Sequence, residues 1–310
     1  MKGMKKWFAG LAAAVMLTGS LTAGAQEAAV LPGGGSSYNL LMIGTDHRND
    51  SWNGNSDVMI LTTIDTETEQ ITMTSFMRDL YADIPGHGVH KLNYAFAVGG
   101  SEILEETLEN NYRIQIDNCA VVDFEAMAEI IDILGGVDIE ILDSECETLN
   151  MYLSSMNVPE YSIYQGGAYH LNGLQAVAYM RIRYVGNNDY QRTQRQRDVL
   201  KGVFAAVHDL DAKDMAALAE EVLPQIEHNI SALQMLQLMA ALPDIAGYKL
   251  EESRIPYDDL FYSQNELLVP DFEATIERLH ETPGIVPAGA KTEDAAEYET
   301  ELESETEVSE

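Results

Sequence analysis

Three apolar runs in the first third of the chain constrain the fold most strongly. They are NLLMIGTD (39–46), DVMILTTID (57–65) and QITMTSFMRD (70–79), and turn-forming residues separate them. Runs of this length and composition are typical of β-strands. The polar centre of TIDTETEQIT, between the second and third runs, predicts a β-hairpin. We therefore expect these runs to be strands of one sheet.

The segments that follow alternate between helical and strand patterns. In chain order they are a helix at 99–112, a strand at 113–124, a helix at 125–136 and a strand at 137–141. Asp123 is placed to cap the second of these helices at its N-terminus. Alternating strands and helices are typical of α/β proteins, in which helices cover the sheet. We therefore predict a single domain of the α/β class: an α-β-α sandwich with a central mixed β-sheet flanked by helices.

The second half of the chain is mostly helical in pattern. Asn172 and Gln175 have the spacing of a capping box, which predicts a short helix that runs into Arg181. A longer helix is predicted from Asp189, with polar residues in its first turns and apolar ones, such as Phe204, further along. This pattern indicates a helix whose body is in the core and whose start opens onto a site, where the helix dipole attracts an anion. Two further elements are predicted, a helix at 231–245 and an edge strand at 248–257.

The distribution of arginine is unusual for so acidic a chain. The formal net charge is −33, with only 18 lysines and arginines among 310 residues, yet five arginines lie within residues 181–197. The overall charge argues against a nucleic acid partner, because contact with phosphate backbones needs a basic surface. Arginine binds phosphate through paired hydrogen bonds. The crowding therefore indicates either ordinary helix-surface residues or a clamp for a polyanion, and we expect Arg195 and Arg197 merely to cover a helix flank.

Both ends of the chain differ in composition from its centre. Residues 1–25 combine a basic start, a short apolar stretch and a small-residue cleavage motif, so they are predicted to be a signal peptide or an N-terminal membrane anchor. Residues 26–37 are predicted to be a linker, and residues 285–310 an acidic disordered tail. The folded domain is then expected at 38–284, outside the cytoplasm.

Cys119 and Cys146 are the two cysteines of the chain. In an exported protein they could form a disulfide, whereas the apolar neighbours of Cys119 favour a small buried residue without a partner. Both interpretations stay open at this point.

Charged residues lie where the predicted strands begin and end. Asp46 ends the first strand, Asp57 begins the second, and Arg78 with Asp79 ends the third. Each aspartate alone also fits an ordinary turn or cap. If the strands are neighbours, however, Asp46 and Asp57 meet, and such a pair suits Mg²⁺, which takes one or two carboxylates with phosphate oxygens and water. Arginines around this cation would neutralise a pyrophosphate and the charge that develops in phosphoryl transfer.

Other catalytic signatures are absent from the sequence. It contains no P-loop, no dinucleotide-binding fingerprint, no Gly-x-Ser-x-Gly motif and no histidine spacing typical of zinc. From the residues alone we therefore predict an exported α/β domain with an anion site.

Taken together and in chain order, the charged groups and their flanking strands resemble the LytR–CpsA–Psr family of Gram-positive cell-wall proteins. The matching strings are NLLMIGTDHR, SDVMILTTID, SFMRDLY, KLNYAFAVGG, VDFEAMAEIIDILGGVDIEI, LNGLQAVAYMRIR and DYQRTQRQRDVL. They are collinear and cover roughly residues 38–257.

The resemblance implies a phosphotransferase with the α-β-α fold. By this resemblance, the protein would transfer a glycopolymer (teichoic acid, capsule or a related polysaccharide) from a polyprenyl-pyrophosphate carrier to peptidoglycan. The glycopolymer and peptidoglycan would then be joined by a phosphodiester. The partners implied are this lipid-linked glycan, a peptidoglycan acceptor and the membrane surface, for a monomer at the extracellular face of the cell membrane or in the cell wall. Two alternatives stay open: a polyprenyl-pyrophosphate hydrolase, and a non-catalytic module that binds wall polymer or lipid.

The resemblance also implies roles for individual residues. Asp46 and Asp57 would hold Mg²⁺ (or Mn²⁺). The pyrophosphate would be bound by Arg78, Lys91, Arg181, Arg183, Arg192 and Gln196, while Asp79 and Asp189 would orient the arginines. The residues expected to be catalytic are Arg78, Arg181, Arg183, Asp189, Arg192 and Gln196. The lipid tail would enter an apolar pocket between sheet and helices, and the general base stays open between an aspartate near the metal and activation by Mg²⁺ alone.

Overall fold

The structure is a computed structural model that describes most of the chain. The described residues are 30–45, 54–183, 185–186, 189–208, 214, 217–218, 221–222 and 226–288. The predicted signal segment at 1–25 lies outside them, as do residues 289–310 of the predicted tail. Among the helices of these described ranges, none has both the length and the apolar composition needed to cross a membrane.

Strands of the described part form one central sheet and three separate two-stranded sheets. Their bounds are β1 Ser37–Thr45, β2 Ser56–Asp65, β3 Gln70–Phe76, β4 Tyr81–Ile84, β5 Gly88–Lys91, β6 Asn118–Asp123, β7 Val137–Ile141, β8 Gly167–Leu171, β9 Glu227–His228, β10 Lys249–Ile255, β11 Phe261–Gln264 and β12 Leu267–Pro270. The central sheet has the order β10-β3-β2-β1-β6-β9. β1, β2 and β3 are antiparallel neighbours, while β10 is parallel to β3 and β6 is parallel to β1. The predicted hairpin, the edge strand and the mixed sheet are confirmed.

Helices cover both faces of this sheet. In the described part they are α1 Asn93–Tyr112, α2 Phe124–Ile133, α3 Cys146–Ser155, α4 Gly173–Met180, α5 Asp189–His208, α6 Ala232–Ile245 and α7 Phe272–His280. Side chains alternate along a strand, so β1 presents Leu41 and Ile43 to one face and Met42 to the other. Leu41 and Ile43 share a core with Leu104 of α1, whereas Met42 packs in a cluster with Leu200 of α5. The predicted α-β-α sandwich is therefore confirmed.

A second core lies beside the sheet and supports the helices that carry the arginines. β7 and β8 form a separate two-stranded antiparallel sheet, with α3 between them in sequence. They pack with α2, α3, α4 and the first half of α5. Ile139, Leu149, Ile182 and Val199 are among its buried members. The strand predicted at 137–141 exists, but it is not part of the central sheet. Its residues alternate between buried and exposed, as expected of an antiparallel strand packed on one face only.

Local signals set the start of three helices as predicted. Asp123 caps α2, because its side chain accepts a hydrogen bond of 2.8 Å from the N–H of Ala126. α4 begins with the capping box: Asn172 Oδ1 accepts a hydrogen bond from the N–H of Gln175, and Gln175 Oε1 accepts one from the N–H of Asn172. α5 begins at Asp189, as expected.

Two predicted elements have different bounds in the structure. α1 begins at Asn93, earlier than predicted, and continues through a kink at Gly100, whose φ of 66° only glycine adopts without strain in this region. β6 begins at Asn118, later than predicted. Arg113 instead ends α1 with a left-handed backbone (φ of 52°), and Ile114 pairs with Pro287 and not with the central sheet.

The folded part extends beyond the predicted domain at both ends. Leu31 is fully buried beside Tyr38 and packs in a cluster with Ala241 of α6. Ile285 joins the core under α1, and Pro287 forms a β-bridge with Ile114. The fold therefore includes residues that we assigned to the linker and to the tail, because apolar side chains in both segments join the cores.

The two cysteines are unpaired and buried. Cys119 lies in the core between the sheet and α1, whereas Cys146 lies in the second core. Burial raises the pKa of the Cys119 thiol to about 11. Of the two interpretations left open by the sequence, the structure agrees with buried residues and not with a disulfide.

The contact between α2 and α4 depends on a glycine. A Cβ atom at Gly173 would lie 1.9 Å from the carbonyl oxygen of Ala128. We expect Gly173→Ala to push the two helices apart and to lower the free energy of unfolding by about 1–3 kcal/mol in urea denaturation. Gly35→Ala is the matched control, because a Cβ there meets nothing closer than 3.7 Å. An equal loss in both variants would contradict this explanation.

Carboxylates on and beside α1 make stability depend on pH. Burial, followed by the charge of Glu109, raises the pKa of Glu105, and burial also raises the pKa of Asp117. Because the folded pKa of Glu105 exceeds its unfolded value, its contribution to stability improves as pH falls from 7 through the folded pKa.

We expect Glu105→Gln to raise the melting temperature at pH 7 and to reduce the gain on acidification. Thermal unfolding at pH 7 and at about pH 5 measures both effects. Glu277→Gln, at an exposed position of α7, is the control. If both variants kept the pH profile of the parent protein, Glu105 would not be a source of the dependence.

Candidate active site

The start of β2 and the end of β3 bring the first charged pair together. The two strands are antiparallel, so Asp57 in β2 lies beside Arg78, which follows β3. Arg78 Nη1 donates a hydrogen bond of 2.7 Å to Asp57 Oδ1. The side chains are 17% and 24% exposed, so the pair is shielded but still reachable from solvent.

Asp189, at the start of α5, joins three arginines. Its Oδ2 accepts hydrogen bonds from Arg183 Nε (3.2 Å) and Nη2 (3.0 Å). Its Oδ1 lies 3.0 Å from Arg192 Nη2 and 3.8 Å from Arg78 Nε. Arg192 Nη1 in turn lies 3.9 Å from Asp57 Oδ1. One carboxylate thus connects the end of β3, the segment after α4 and the first turns of α5.

A lysine extends the group on the side of β5. Lys91 Nζ lies 2.9 Å from Asp79 Oδ1 and 3.7 Å from a carboxylate oxygen of Glu266. Asp79 Oδ2 lies 3.8 Å from Arg78 Nε. We call this set the arginine cluster, and its members are Asp57, Arg78, Asp79, Lys91, Arg183, Asp189 and Arg192.

The arginine cluster gathers cations in a chain whose net charge is −33. Burial alone would lower the pKa of Arg78, but the charges of Asp57, Asp189 and Asp79 outweigh burial, and its pKa is raised. Burial, reinforced by the positive charge of Arg78, lowers the pKa of Arg192. The two guanidinium groups therefore repel each other, and an anion bound between them would relieve that repulsion.

Two donors of the arginine cluster have no acceptor within the described residues. The Nε atoms of Arg78 and Arg192 are both buried there without a hydrogen bond. Buried N–H groups in folded proteins are nearly always bonded, and leaving one on a charged group unpaired is costly. A polyanion with several oxygen acceptors would satisfy both donors at once.

The remaining predicted site residues differ in their surroundings. Arg181 contacts the rings of Phe124 and Tyr152, and its guanidinium carbon lies 5.2 Å from each ring centroid. No ion pair of the described residues includes Arg181. Gln196 is buried on α5, one turn beyond the last arginine of the cluster. Asp46 lies outside the described residues.

Arg195 and Arg197 do not merely cover a helix flank, so that prediction was wrong. They are 3% and 5% exposed, respectively. Arg195 Nε lies 2.8 Å from Glu145 Oε1, and Arg197 Nε lies 3.2 Å from Glu252 Oε2. Each guanidinium can be buried because a carboxylate distant in sequence compensates its charge.

The predicted metal site is only partly within the described residues. Asp57 is described, whereas Asp46 is not. Across the described ranges, no three His, Cys, Asp or Glu side chains form a group that could hold a metal ion. Asp57 is the type of ligand that Mg²⁺ takes together with phosphate oxygens and water, and its Oδ1 is already bonded to Arg78. The donor therefore suits Mg²⁺ only with further ligands, and the metal stays a prediction.

The sequence analysis missed the residues that hold Arg181 and Arg195, two arginines outside the arginine cluster. Phe124 and Tyr152 contact Arg181, and Glu145 binds Arg195. Phe124 directly follows the predicted cap, which placed it at the start of a helix. No local pattern marked the other two, since α3 was not predicted and Glu145 is one of 51 acidic residues.

Comparisons with known proteins agree with the predicted resemblance. The model of the LytR_cpsA_psr family matches residues 9–280. Biofilm regulatory protein A of Streptococcus mutans is 30% identical over 69% of this chain and 56% of its own length. The polyisoprenyl-teichoic acid–peptidoglycan teichoic acid transferase TagU of Enterococcus faecalis is 31% identical over 62% of this chain and 60% of its own length. The chain thus spans less than two thirds of the length of either relative.

A solved structure shares the fold across most of the chain. It is TagT of B. subtilis with bound octaprenyl pyrophosphate lipid, which is 22% identical, has a TM-score of 0.61 and covers 86% of this chain and 98% of its own. At this identity the likeness concerns the fold. Because the family model matches most of the sequence and the fold agrees, the protein belongs to the LytR–CpsA–Psr family.

Proposed function

We propose that the protein is a phosphotransferase that moves a glycopolymer from a polyprenyl-pyrophosphate carrier to peptidoglycan. The observation that carries the proposal is the convergence of Arg78, Arg183 and Arg192 on Asp189. In the part of the chain that the structure describes, Arg78 and Arg192 each have a buried Nε without a hydrogen-bond acceptor. A pyrophosphate with two to three negative charges suits such a site, because guanidinium groups bind phosphate oxygens in pairs. Because these donors come from several segments of the chain, they suit a diphosphate ligand better than a ligand with a single carboxylate.

The relatives support this choice of substrate. TagU is named for transfer of teichoic acid between a polyisoprenyl carrier and peptidoglycan, and TagT binds octaprenyl pyrophosphate lipid. In this chain, apolar side chains that are only partly buried pack around the cluster between the sheet and α5, among them Met42 of β1, Met127 of α2 and Phe204 of α5. They offer an apolar surface for the polyprenyl chain next to the anion site.

In the proposed reaction, an acceptor hydroxyl of peptidoglycan attacks the phosphorus atom that carries the glycan. A new P–O bond forms as the hydroxyl gives up its proton to a nearby carboxylate or to water. The bond from that phosphorus to the bridging oxygen breaks, and polyprenyl phosphate leaves. The product is the phosphodiester. Arg78 and Arg192 would neutralise charge on the phosphoryl oxygens, while Asp189 keeps both guanidinium groups aligned. Lys91 would stabilise the leaving phosphate from the other side of Asp79.

We also propose that Mg²⁺ (or Mn²⁺) binds next to the arginine cluster. Asp57 and Asp46 would hold it, as the family resemblance implies. When bound, the cation supplies charge neutralisation at the phosphoryl oxygens. The proposed location is the extracellular face of the membrane or the cell wall, where lipid carrier and peptidoglycan meet.

A transfer assay tests the proposal most simply. Purified protein is incubated with a synthetic lipid-pyrophosphate sugar, with and without a peptidoglycan fragment. We expect the sugar phosphate to appear on the fragment. Release of phosphate without transfer would instead identify a hydrolase, and binding without turnover would identify a non-catalytic module.

Removing an arginine of the cluster should abolish most activity. We expect Arg78→Ala and Arg192→Ala each to lower the rate of transfer by about 100-fold or more, as for loss of a charge-stabilising donor. The free energy of unfolding should fall by only about 1 kcal/mol, because other cations of the cluster still compensate the carboxylates. Arg278→Ala, which removes a surface pair with Asp259, is the control. Near-normal turnover in both cluster variants would rule out the clamp.

Chelation should test the metal separately. We expect EDTA to lower the rate of transfer and added Mg²⁺ or Mn²⁺ to restore it, since the cation shares the charge of the diphosphate with the arginines. Asp57→Asn should weaken this restoration. A rate that is unchanged in EDTA would remove the metal from the proposal and leave the arginine cluster as the whole site.

A further inference from the structure

Arg195 lies in the second core and contacts two separate parts of the chain. Its side chain is 4% exposed, as is that of Glu145. Arg195 Nε donates a hydrogen bond of 2.8 Å to Glu145 Oε1. Its Nη1 donates to the carbonyl oxygen of Ile182 at 3.0 Å, and its Nη2 donates to that of Val185 at 3.3 Å. The guanidinium group therefore uses all three of its nitrogens.

The two carbonyl groups flank a residue of the arginine cluster. Arg183 lies between Ile182 and Val185 in sequence, and its own side chain binds Asp189. Arg195 thus holds the backbone on both sides of Arg183. It does so from α5, the helix that carries Asp189 and Arg192.

Glu145 anchors this arrangement to the rest of the second core. Its Oε1 accepts the hydrogen bond from Arg195, and its Oε2 accepts one of 2.8 Å from the N–H of Leu142. Both oxygens are therefore committed, and the carboxylate has little freedom to move. The chain of contacts runs from the end of β7 through Glu145 and Arg195 to the segment that carries Arg183.

A buried ion pair is a poor source of stability, because removing two charges from water costs about as much as their attraction returns. What the guanidinium provides is geometry: its planar fork bonds three acceptors in fixed directions, which the ammonium of lysine cannot reproduce. We propose that Arg195, held by Glu145, is a positioning residue that sets where Arg183 meets the pyrophosphate. This inference rests on the proposed function for its ligand.

The test compares two buried arginines of α5. Arg195→Lys keeps the charge opposite Glu145 but loses the fork. Arg197→Lys is the matched control, because Arg197 pairs with Glu252 and donates to Ser75 and does not bond the carbonyl groups beside Arg183. Glu145→Gln is the second variant, which removes the negative charge that holds Arg195 and leaves a weaker neutral acceptor in its place.

Crystal structures of the variants give a readout that needs no ligand. We expect the bonds between Arg183 and Asp189 to be lost or lengthened beyond 4 Å in Arg195→Lys and to be kept in Arg197→Lys. If Arg195→Lys does not fold well enough to crystallise, Glu145→Gln takes its place. An unchanged Arg183–Asp189 contact in the variant examined would overturn the positioning role.

Calorimetric titration with inorganic pyrophosphate gives the second readout. We expect Arg195→Lys to weaken pyrophosphate binding about tenfold when it is made in the parent protein or in the Lys91→Ala variant. In the Arg183→Ala variant it should weaken binding less than about twofold, because a residue that acts through Arg183 has no effect once Arg183 is absent. Equal effects in all three backgrounds, or an equal loss in Arg197→Lys, would overturn the inference alone. Failure of the parent protein to bind pyrophosphate would instead count against the proposed function.

Discussion

Asp189 makes the arginine cluster possible. The guanidinium groups of Arg78, Arg183 and Arg192 would repel one another at these separations, and the Asp189 carboxylate lies within 4 Å of each of them. Asp57 compensates Arg78 from the opposite side. Among the described residues, these carboxylates leave the buried Nε atoms of Arg78 and Arg192 without a hydrogen bond, and such donors suit an anion.

The fold serves this cluster by bringing strand ends and a helix start to one place. Antiparallel pairing of β2 and β3 puts Asp57 next to Arg78, and α5 begins at the same place with Asp189. After its first turn, α5 is fixed by the ion pairs of two buried arginines. Arg195 pairs with Glu145, and Arg197 pairs with Glu252. Of the five arginines in residues 181–197, Arg183 and Arg192 belong to the arginine cluster. Arg195 and Arg197 instead hold the helix that carries it.

Features with local signals were predictable, and features that depend on distant partners were not. The β2–β3 hairpin, the cap at Asp123 and the start of α5 follow from neighbouring residues, and the structure confirms them. The separate two-stranded sheet of β7 and β8 was not predicted, because the pattern of a strand does not indicate which strand it pairs with. Likewise, the spacing of Arg195 and Arg197 fits a surface helix until Glu145 and Glu252 are known, and nothing local distinguishes these two acids from the others.

The central claim is that separated arginines bind one diphosphate. A crystal structure of the full chain with a polyprenyl pyrophosphate bound tests it most directly. The arginine cluster predicts diphosphate oxygens within about 3 Å of both Arg78 Nε and Arg192 Nε, the usual length of a charged hydrogen bond. A diphosphate bound elsewhere on the molecule, with both Nε atoms still without an acceptor, would contradict the claim.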